Sequence, residues 1–202
     1  QPYMVKSGKD PKVIQKGIKR MVDRIVEGGL REGNWNLFQA KMITHGGLVL
    51  EPNDDYADGR GRGFYVDVVL HADEPGQLGL VHVVEEGYDA ETAIWPEAPG
   101  YGFETTASIL GVANLLALEP GGRELLDHPQ LERAMLVQAE LVHPNGLSIG
   151  IGDTTNVRIS MEALEMLISA ARKLGKEEQE RRLTALLMKE IVTKRYNRSE
   201  QT

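Results

Sequence analysis

The 202-residue chain contains no cysteine, which excludes disulfides, thiol nucleophiles and thiolate metal sites. That composition fits the cytoplasm and equally a bacterial periplasm, where disulfides are optional. No apolar run reaches about 18 residues, so nothing reads as a membrane-spanning helix. There is no excess of positive charge either. The 23 Lys and Arg stand against 30 Asp and Glu, a formal net charge of -7. A general nucleic-acid binder is normally basic, so that class is set aside. The chain opens Gln1-Pro2-Tyr3 with neither a basic-then-apolar leader nor an initiator methionine, which points to a processed form or a fragment.

Familiar catalytic signatures are missing as well. His45, His71, His82, His128 and His143 form no HExxH pair, and no GxSxG elbow is present. Gly59-Arg60-Gly61-Arg62-Gly63 is glycine-rich but lacks the Lys-Ser/Thr ending of a phosphate-binding loop. Neither a metal nor a cofactor is expected.

Helix signals dominate what is present. Asp10-Pro11 offers a capping acceptor followed by proline at the first helical position. Ile14, Ile18, Met21, Val22 and Ile25 follow at helical spacing until Gly28-Gly29 ends the run. A second helix is predicted from Asn34 to about Leu50, with Phe38, Met42, His45 and Val49 on one face. A lone histidine such as His45 on an apolar face is most often a core residue. Residues 51–63 read as a loop. Residues 64–72 and 77–88 fit either a strand or a buried helix, with helix favoured by their neighbours. Residues 89–102 read as a loop, and helices are predicted at about 103–118, 129–142, 160–174 and 177–195. The charged residues 196–202 read as a tail or linker, after one helical domain over 1–195. No fixed-period repeat is visible, so helix pairs without sequence repetition suggest an α/α toroid or an irregular bundle.

Three segments carry polar and aromatic residues that helix patterning does not explain. In Gly33-Asn34-Trp35-Asn36-Leu37-Phe38, Asn34 is a natural helix cap, Asn36 sits where asparagine has weak helix propensity, and Trp35 is either core or a flat platform for a sugar ring. In Ile94-Trp95-Pro96-Glu97-Ala98-Pro99-Gly100-Tyr101-Gly102-Phe103, two prolines and two glycines fix a loop that holds Trp95, Glu97 and Tyr101. A phenol ordinarily ionises near pH 10, so Tyr101 is chemically useful only with a shifted pKa or a strongly basic partner; otherwise it packs at a helix start. In Gly150-Ile151-Gly152-Asp153-Thr154-Thr155-Asn156, Asp153 could bind a ligand or orient a catalytic group, against the default of turn and capping chemistry.

In this order, the three segments resemble the toroid domain of heparinase II/III-type lyases and their alginate-lyase relatives. The match runs through GNWNLFQAKMITHGGLVLE, DAETAIWPEAPGYGFETTASILGVANLL and GIGDTTNVRISMEALEMLISAARKLG, and covers residues 10–195. The resemblance implies a mostly α, (α/α) toroid that is incomplete in this chain, with further toroid helices and a β-sandwich domain of the same protein as partners. It implies β-elimination on an acidic, uronic-acid-containing polysaccharide such as heparan sulfate or an alginate-like chain, in the periplasm or outside the cell, with the cytoplasm as the alternative. Carried over by position, Asn34 is the amide that neutralises the uronate carboxylate, with Asn36 as substitute, and Tyr101 is the catalytic tyrosine. Trp35, Trp95, Glu97, Arg60 and Asp153 are the expected substrate contacts. A local basic groove of Lys41, Arg60 and Arg62 would offset the acidic net charge.

Two other functions compete. A non-catalytic carbohydrate-binding or scaffold toroid would use the aromatics alone. A toroid glycoside hydrolase would need two carboxylates about 5–10 Å apart, for which Glu97 and Asp153 are the loop candidates.

Overall fold

The computed structural model describes residues 10–153 and 156–193. They are mostly helical, and among them no helix is long and apolar enough to cross a membrane. Thr154, Thr155 and the expected tail at 196–202 lie outside the described residues. The chain divides into two compact units, Gln1–Val81 and His82–Thr202.

In the first unit, α1 spans Pro11–Gly28 and starts as predicted: the Asp10 carboxylate accepts from the Lys12 N–H at 2.9 Å, with proline in the first turn. Helix α2 is Gly33–Gly47, and its capping position is Glu32 rather than Asn34, which lies one residue inside the helix. The face expected to be apolar core is the outer one: Trp35, Phe38, Met42 and Val49 are exposed, as is His45. The inner face is Leu37, Ala40 and Ile43, packed towards α1 and α3. An apolar residue on every side of α2 leaves helical spacing alone unable to choose the buried stripe.

The expected loop at 51–63 contains a 3-10 turn at Asn53–Asp55, and α3 (Arg62–His71) already begins at its end. Asn53 caps that start, its side-chain oxygen accepting from Phe64 N at 2.9 Å and Gly61 N at 3.2 Å. The ambiguous run is thus helical, with Tyr65, Val66, Val68, Val69 and Leu70 buried. Strands β1 (Asp73–Glu74) and β2 (Gln77–Leu78) form an antiparallel hairpin with Asp73 opposite Leu78. The division between units falls inside α4 (Leu80–Glu86).

The second unit centres on α5 (Pro99–Leu116), whose buried face carries Phe103, Thr106, Ile109, Leu110, Ala113 and Leu116. Around it pack α6 (Gly122–Leu126), α7 (Pro129–Gln138) and α8 (Met161–Lys173). Helix α8 is capped by the Ser160 hydroxyl, which accepts from Ala163 N at 3.2 Å. It turns through Gly175 into α9 (Glu177–Val192), which packs back along it. Between α7 and α8 the chain makes two isolated bridges, Val142 with Ser148 and Leu147 with Arg158.

Candidate functional site

In the second unit, the structure brings two of the three sequence segments together. Residues 89–98 lead into α5, and Pro99 is its first helical residue, so Tyr101 sits in the first turn of the helix and not in a loop. Proline lacks the N–H that a first-turn position leaves unused, and its φ is already helical. Tyr101 is 37% exposed, and its hydroxyl has no hydrogen-bond partner among the described residues. Tyr101 is therefore not packed as helix-start core.

The approach to α5 is held firmly. Asp89 Oδ1 accepts from the backbone N–H of Glu91 and Thr92 and from the Thr92 hydroxyl, a connected turn that holds its carboxyl below the usual range, the Thr92 bonds contributing most. Arg133 on α7 donates to the carbonyls of Ala90 and Glu91 at 3.0 and 2.7 Å. Ala93 is buried at φ 59, a left-handed conformation that costs a non-glycine residue about 1 kcal/mol.

Trp95 is half-buried. Its ring lies edge-on to Tyr88 at 5.2 Å, and its Nε1 donates to Glu97 Oε2 at 2.9 Å. Two glycines make room for it: a Cβ on Gly87 would lie 2.7 Å from the Trp95 ring, and one on Gly102 3.1 Å from Trp95 Cβ. The tryptophan is a wedge between the end of α4 and the start of α5. The void beside it, lined by Tyr88, Phe103 and Gln138, measures about 10 Å³, room for one water molecule and not for a sugar.

The Gly-Asp segment comes to the same place. Ser148 and Val157 exchange hydrogen bonds (Ser148 N to Val157 O at 2.7 Å, Val157 N to Ser148 Oγ at 3.0 Å), which clasp the two ends of the segment. Gly152 at φ 77 lies so close to Ala98 that a Cβ there would be 3.3 Å from the alanine Cβ. Exposed Asp153 therefore stands beside the segment that carries Glu97 and Tyr101.

Beneath lies a polar network that sequence reasoning missed. Buried Tyr88 shares a 2.9 Å hydrogen bond with Thr106 Oγ1, which also accepts from Gln138 Nε2 at 2.8 Å and donates to Gly102 O at 2.9 Å. Burial pushes the Tyr88 phenol well above its ordinary range, only partly offset by the Thr106 bond. Gln138 Oε1 is buried without a hydrogen-bond partner among the described residues. The one sequence signal for this network was a glutamine in the apolar stripe of a helix.

In the first unit, the Asn-Trp-Asn residues part company. Asn34 is half-buried in the first turn of α2, and Trp35 is 65% exposed, its ring 6.1 Å from that of exposed Phe38. Asn36 is 2% exposed, and its amide both donates to Leu78 O and accepts from Leu78 N at 2.8 Å. The amide expected to meet a substrate instead anchors the hairpin to α2. Arg60 is similarly committed, at 2.8 Å from Glu27 and 3.6 Å from Asp23, and the Glu27 bond keeps it charged to a higher pH than usual. Arg62 donates to Leu50 O, which leaves exposed Lys41 alone of the expected basic groove.

A further cluster joins α1 to α3. Lys19 Nζ lies 2.9 Å from Asp23, 2.7 Å from Asp58 and 3.4 Å from the Tyr65 hydroxyl, which donates to Asp23 at 2.6 Å. Burial alone would lower the lysine pKa, but its bonds to Asp58, Asp23 and Tyr65 outweigh it and raise the value. Burial, then the Asp23 bond, pushes the Tyr65 phenol up. Tyr65 and Tyr88 are thus both buried phenols held by protein partners and favoured in the protonated form.

With this geometry in place, comparison with known families is informative. The sequence model of the endo-acting ulvan lyase 2nd domain matches residues 91–202, more than half of the chain. No curated protein and no solved structure matches. The chain belongs to the endo-acting ulvan lyase 2nd-domain family, a mostly helical fold of polysaccharide-lyase type. The resemblance to heparinase II/III is corrected to that extent: the reaction class and the uronic-acid type of substrate agree, and the family differs.

Proposed function

We propose that this chain, as a member of that family, forms part of an endo-acting lyase that cleaves ulvan by β-elimination at a uronate, with Tyr101 as the proton-transfer group. Ulvan is proposed in place of heparan sulfate or alginate because the matching family model is that of an endo-acting ulvan lyase domain. The observation that carries the reading is the state of the tyrosines. Tyr65 and Tyr88 are buried with raised pKa values, and the Tyr56 hydroxyl accepts from Glu51 N, whereas the hydroxyl of Tyr101 points to no protein partner among the described residues. It stands in the first turn of a helix whose approach, at Ala98, packs against Gly152, so its backbone is held as a positioned acid–base group requires.

The chemistry has a definite demand. The C5 proton of a uronate is weakly acidic because the adjacent carboxylate is already anionic. Hydrogen-bond donors to that carboxylate stabilise the dianion that develops as the proton leaves. The C5–H bond breaks, the C4=C5 double bond forms, the C4–O bond breaks, and the departing oxygen gains a proton. A single tyrosine oxygen on one face of the ring takes the C5 proton as phenolate and, as the phenol so formed, gives it to the departing glycosidic oxygen, so the phenolate is regenerated by turnover. Asn34 is the proposed amide donor to a uronate carboxylate, and Trp35 a sugar-stacking surface. Successive packed helix pairs, α1 with α2 and α8 with α9, are the repeating units from which an (α/α) toroid is built, and this supports that architecture.

The test is the ultraviolet absorbance of unsaturated uronate ends on incubation of ulvan with the protein and with Tyr101→Phe. A rise that falls by a factor of about 100 or more in the variant, at unchanged stability, is expected for loss of an acid–base group. Equal rates would remove Tyr101 from the chemistry. Sugar binding with no rise in either protein would favour a carbohydrate-binding role, for which exposed Trp35 and Phe38 are the supporting observation.

A further inference from the structure

We propose that a cleft in the second unit, formed by the end of α5, by α6 and by the last turns of α8, is a second binding site for one acidic sugar unit. The cleft encloses about 200 Å³. This is below the roughly 300–1,000 Å³ of pockets that hold drug-sized molecules, so it suits one ring and not a length of chain. Its polar lining is Asn114, Arg123, Ser169 and Lys173, and Leu126 and Met166 contribute apolar surface.

Charge is the deciding feature. The chain as a whole is acidic, at -7, yet among the described residues no carboxylate lines this cleft and two cations do. Neighbouring cations are paired: Arg172 with Glu180, Lys176 with Asp127, Arg182 with Glu132. Arg123 and Lys173 have no ion-pair or hydrogen-bond partner among the described residues. The dipole of α8 accounts for a cation at its last residue, Lys173, but not for Arg123, the second residue of α6. Two unpaired cations over an apolar floor, with an amide and a hydroxyl beside them, match an anion carried on a ring with one apolar face and several hydroxyls. That is the chemistry of a uronate or a sulfated sugar.

The cleft is separate from the Tyr101 segment. Asn114 is 13 residues further along the same helix, about 20 Å at 1.5 Å per residue. A site so placed would hold another part of an acidic chain and raise affinity without touching the reacting bond. The choice of a sugar as the ligand rests on the lyase reading; the anion preference rests on the cleft alone.

The experiment is a heteronuclear NMR titration of the full chain with sodium glucuronate, sodium sulfate and, as a neutral control, methyl glucoside. Saturable shifts at Arg123, Leu126, Ser169 and Lys173 with glucuronate, weakened about tenfold or more in Arg123→Gln/Lys173→Gln, are expected from loss of charge-assisted bonds. Ser169→Leu, which fills the cleft and keeps both charges, should abolish the same shifts if the double variant proves misfolded. Absence of shifts at these residues, equal shifts with methyl glucoside, or shifts unchanged in the variants would each overturn the proposal. Sulfate matching glucuronate in affinity would overturn the sugar assignment. Turnover of ulvan by the same variants separates the two readings: saturable glucuronate binding here, in a protein without lyase activity, leaves this inference standing and removes the other.

Discussion

Trp35 and Trp95 are the only tryptophans of the chain, and each stands in a segment whose composition suggests sugar contact. Their surroundings are opposite. Trp35 projects from the first turn of α2, 65% exposed, with Phe38 as its aromatic neighbour. Trp95 is wedged between Gly87 and Gly102, edge-on to Tyr88, with its N–H donated to Glu97. The buried tyrosines repeat the contrast. Tyr65 in the first unit is tied to the charges of Asp23 and Lys19, and Tyr88 in the second to the neutral Thr106 and Gln138. An aromatic ring whose surface is already covered by its own protein acts by positioning others, and one that is uncovered is available to a ligand. The difference makes Trp95 a packing element at the Tyr101 helix start and leaves the Trp35 ring open for the proposed sugar contact.

The strongest way to break the comparison is to remove the wedge. Trp95→Ala should cost about 3 kcal/mol of unfolding free energy, the low end for a large aromatic because the ring is only half-buried. Gly102→Ala, which forces a Cβ to 3.1 Å from Trp95 Cβ, should cost about 1–3 kcal/mol by overpacking. Urea denaturation measures both. A loss below about 0.5 kcal/mol for Trp95→Ala would mean that the ring is not a packing element, and Trp95 would return to the list of sugar contacts.

The two tyrosine networks predict a smaller effect, and one with a pH sign. The phenol of Tyr65 and the ammonium of Lys19 both have folded pKa values above their ordinary ones. Each therefore contributes stability that is complete below the ordinary value, about 10 for both, and is lost as pH rises through the folded value. Tyr88 has the same sign, from burial alone. Thermal unfolding should shift downward above about pH 10, and Tyr65→Phe or Tyr88→Phe should each flatten that fall. Near neutral pH, Tyr65→Phe removes a bond to a charged group and should cost about 1.5–3 kcal/mol, against about 1 kcal/mol for Tyr88→Phe. High salt should narrow the first difference and leave the second, because only the first involves ions. Equal salt sensitivity would erase the distinction between the networks.

Most helices were legible because their ends are written locally. Asp10-Pro11 announces α1 and Gly28-Gly29 its end, each within one turn of the residue it acts on. What stayed hidden depends on partners far along the chain. The hairpin at 73–78 has strands of two residues, too short for an alternation pattern, and is held by Asn36 from 42 positions away. Helix α6, five residues between Pro120-Gly121 and Asp127, is shorter than the periodicity that reveals a helix. The reading of Pro99 as loop instead of helix start displaced Tyr101 by one element. At the candidate site, residue types marked Asn36, Arg60 and Trp95 as candidates. Only their distant partners, Leu78, Glu27 and the two glycines, show that these side chains are already engaged. That Arg123 and Lys173 have no partner among the described residues gave no sequence signal at all, since the lack of a partner is a property of three dimensions.

Trp35 is expected to carry the smallest stability effect. With 65% of its surface exposed, Trp35→Ala should change unfolding free energy by no more than about 0.5 kcal/mol. If the ring stacks on sugar, the same variant should lose affinity for ulvan in gel electrophoresis through the immobilised polysaccharide, and Phe38→Ala should lose less, because it retains the larger ring. Trp35→Phe should recover part of the binding, since a smaller apolar face remains to stack. A loss of stability above about 2 kcal/mol would place Trp35 with Trp95 among the packing residues. Unchanged stability with unchanged electrophoretic retardation would show that an exposed aromatic on α2 does not meet the substrate, and sugar contact would then rest with the residues around Tyr101.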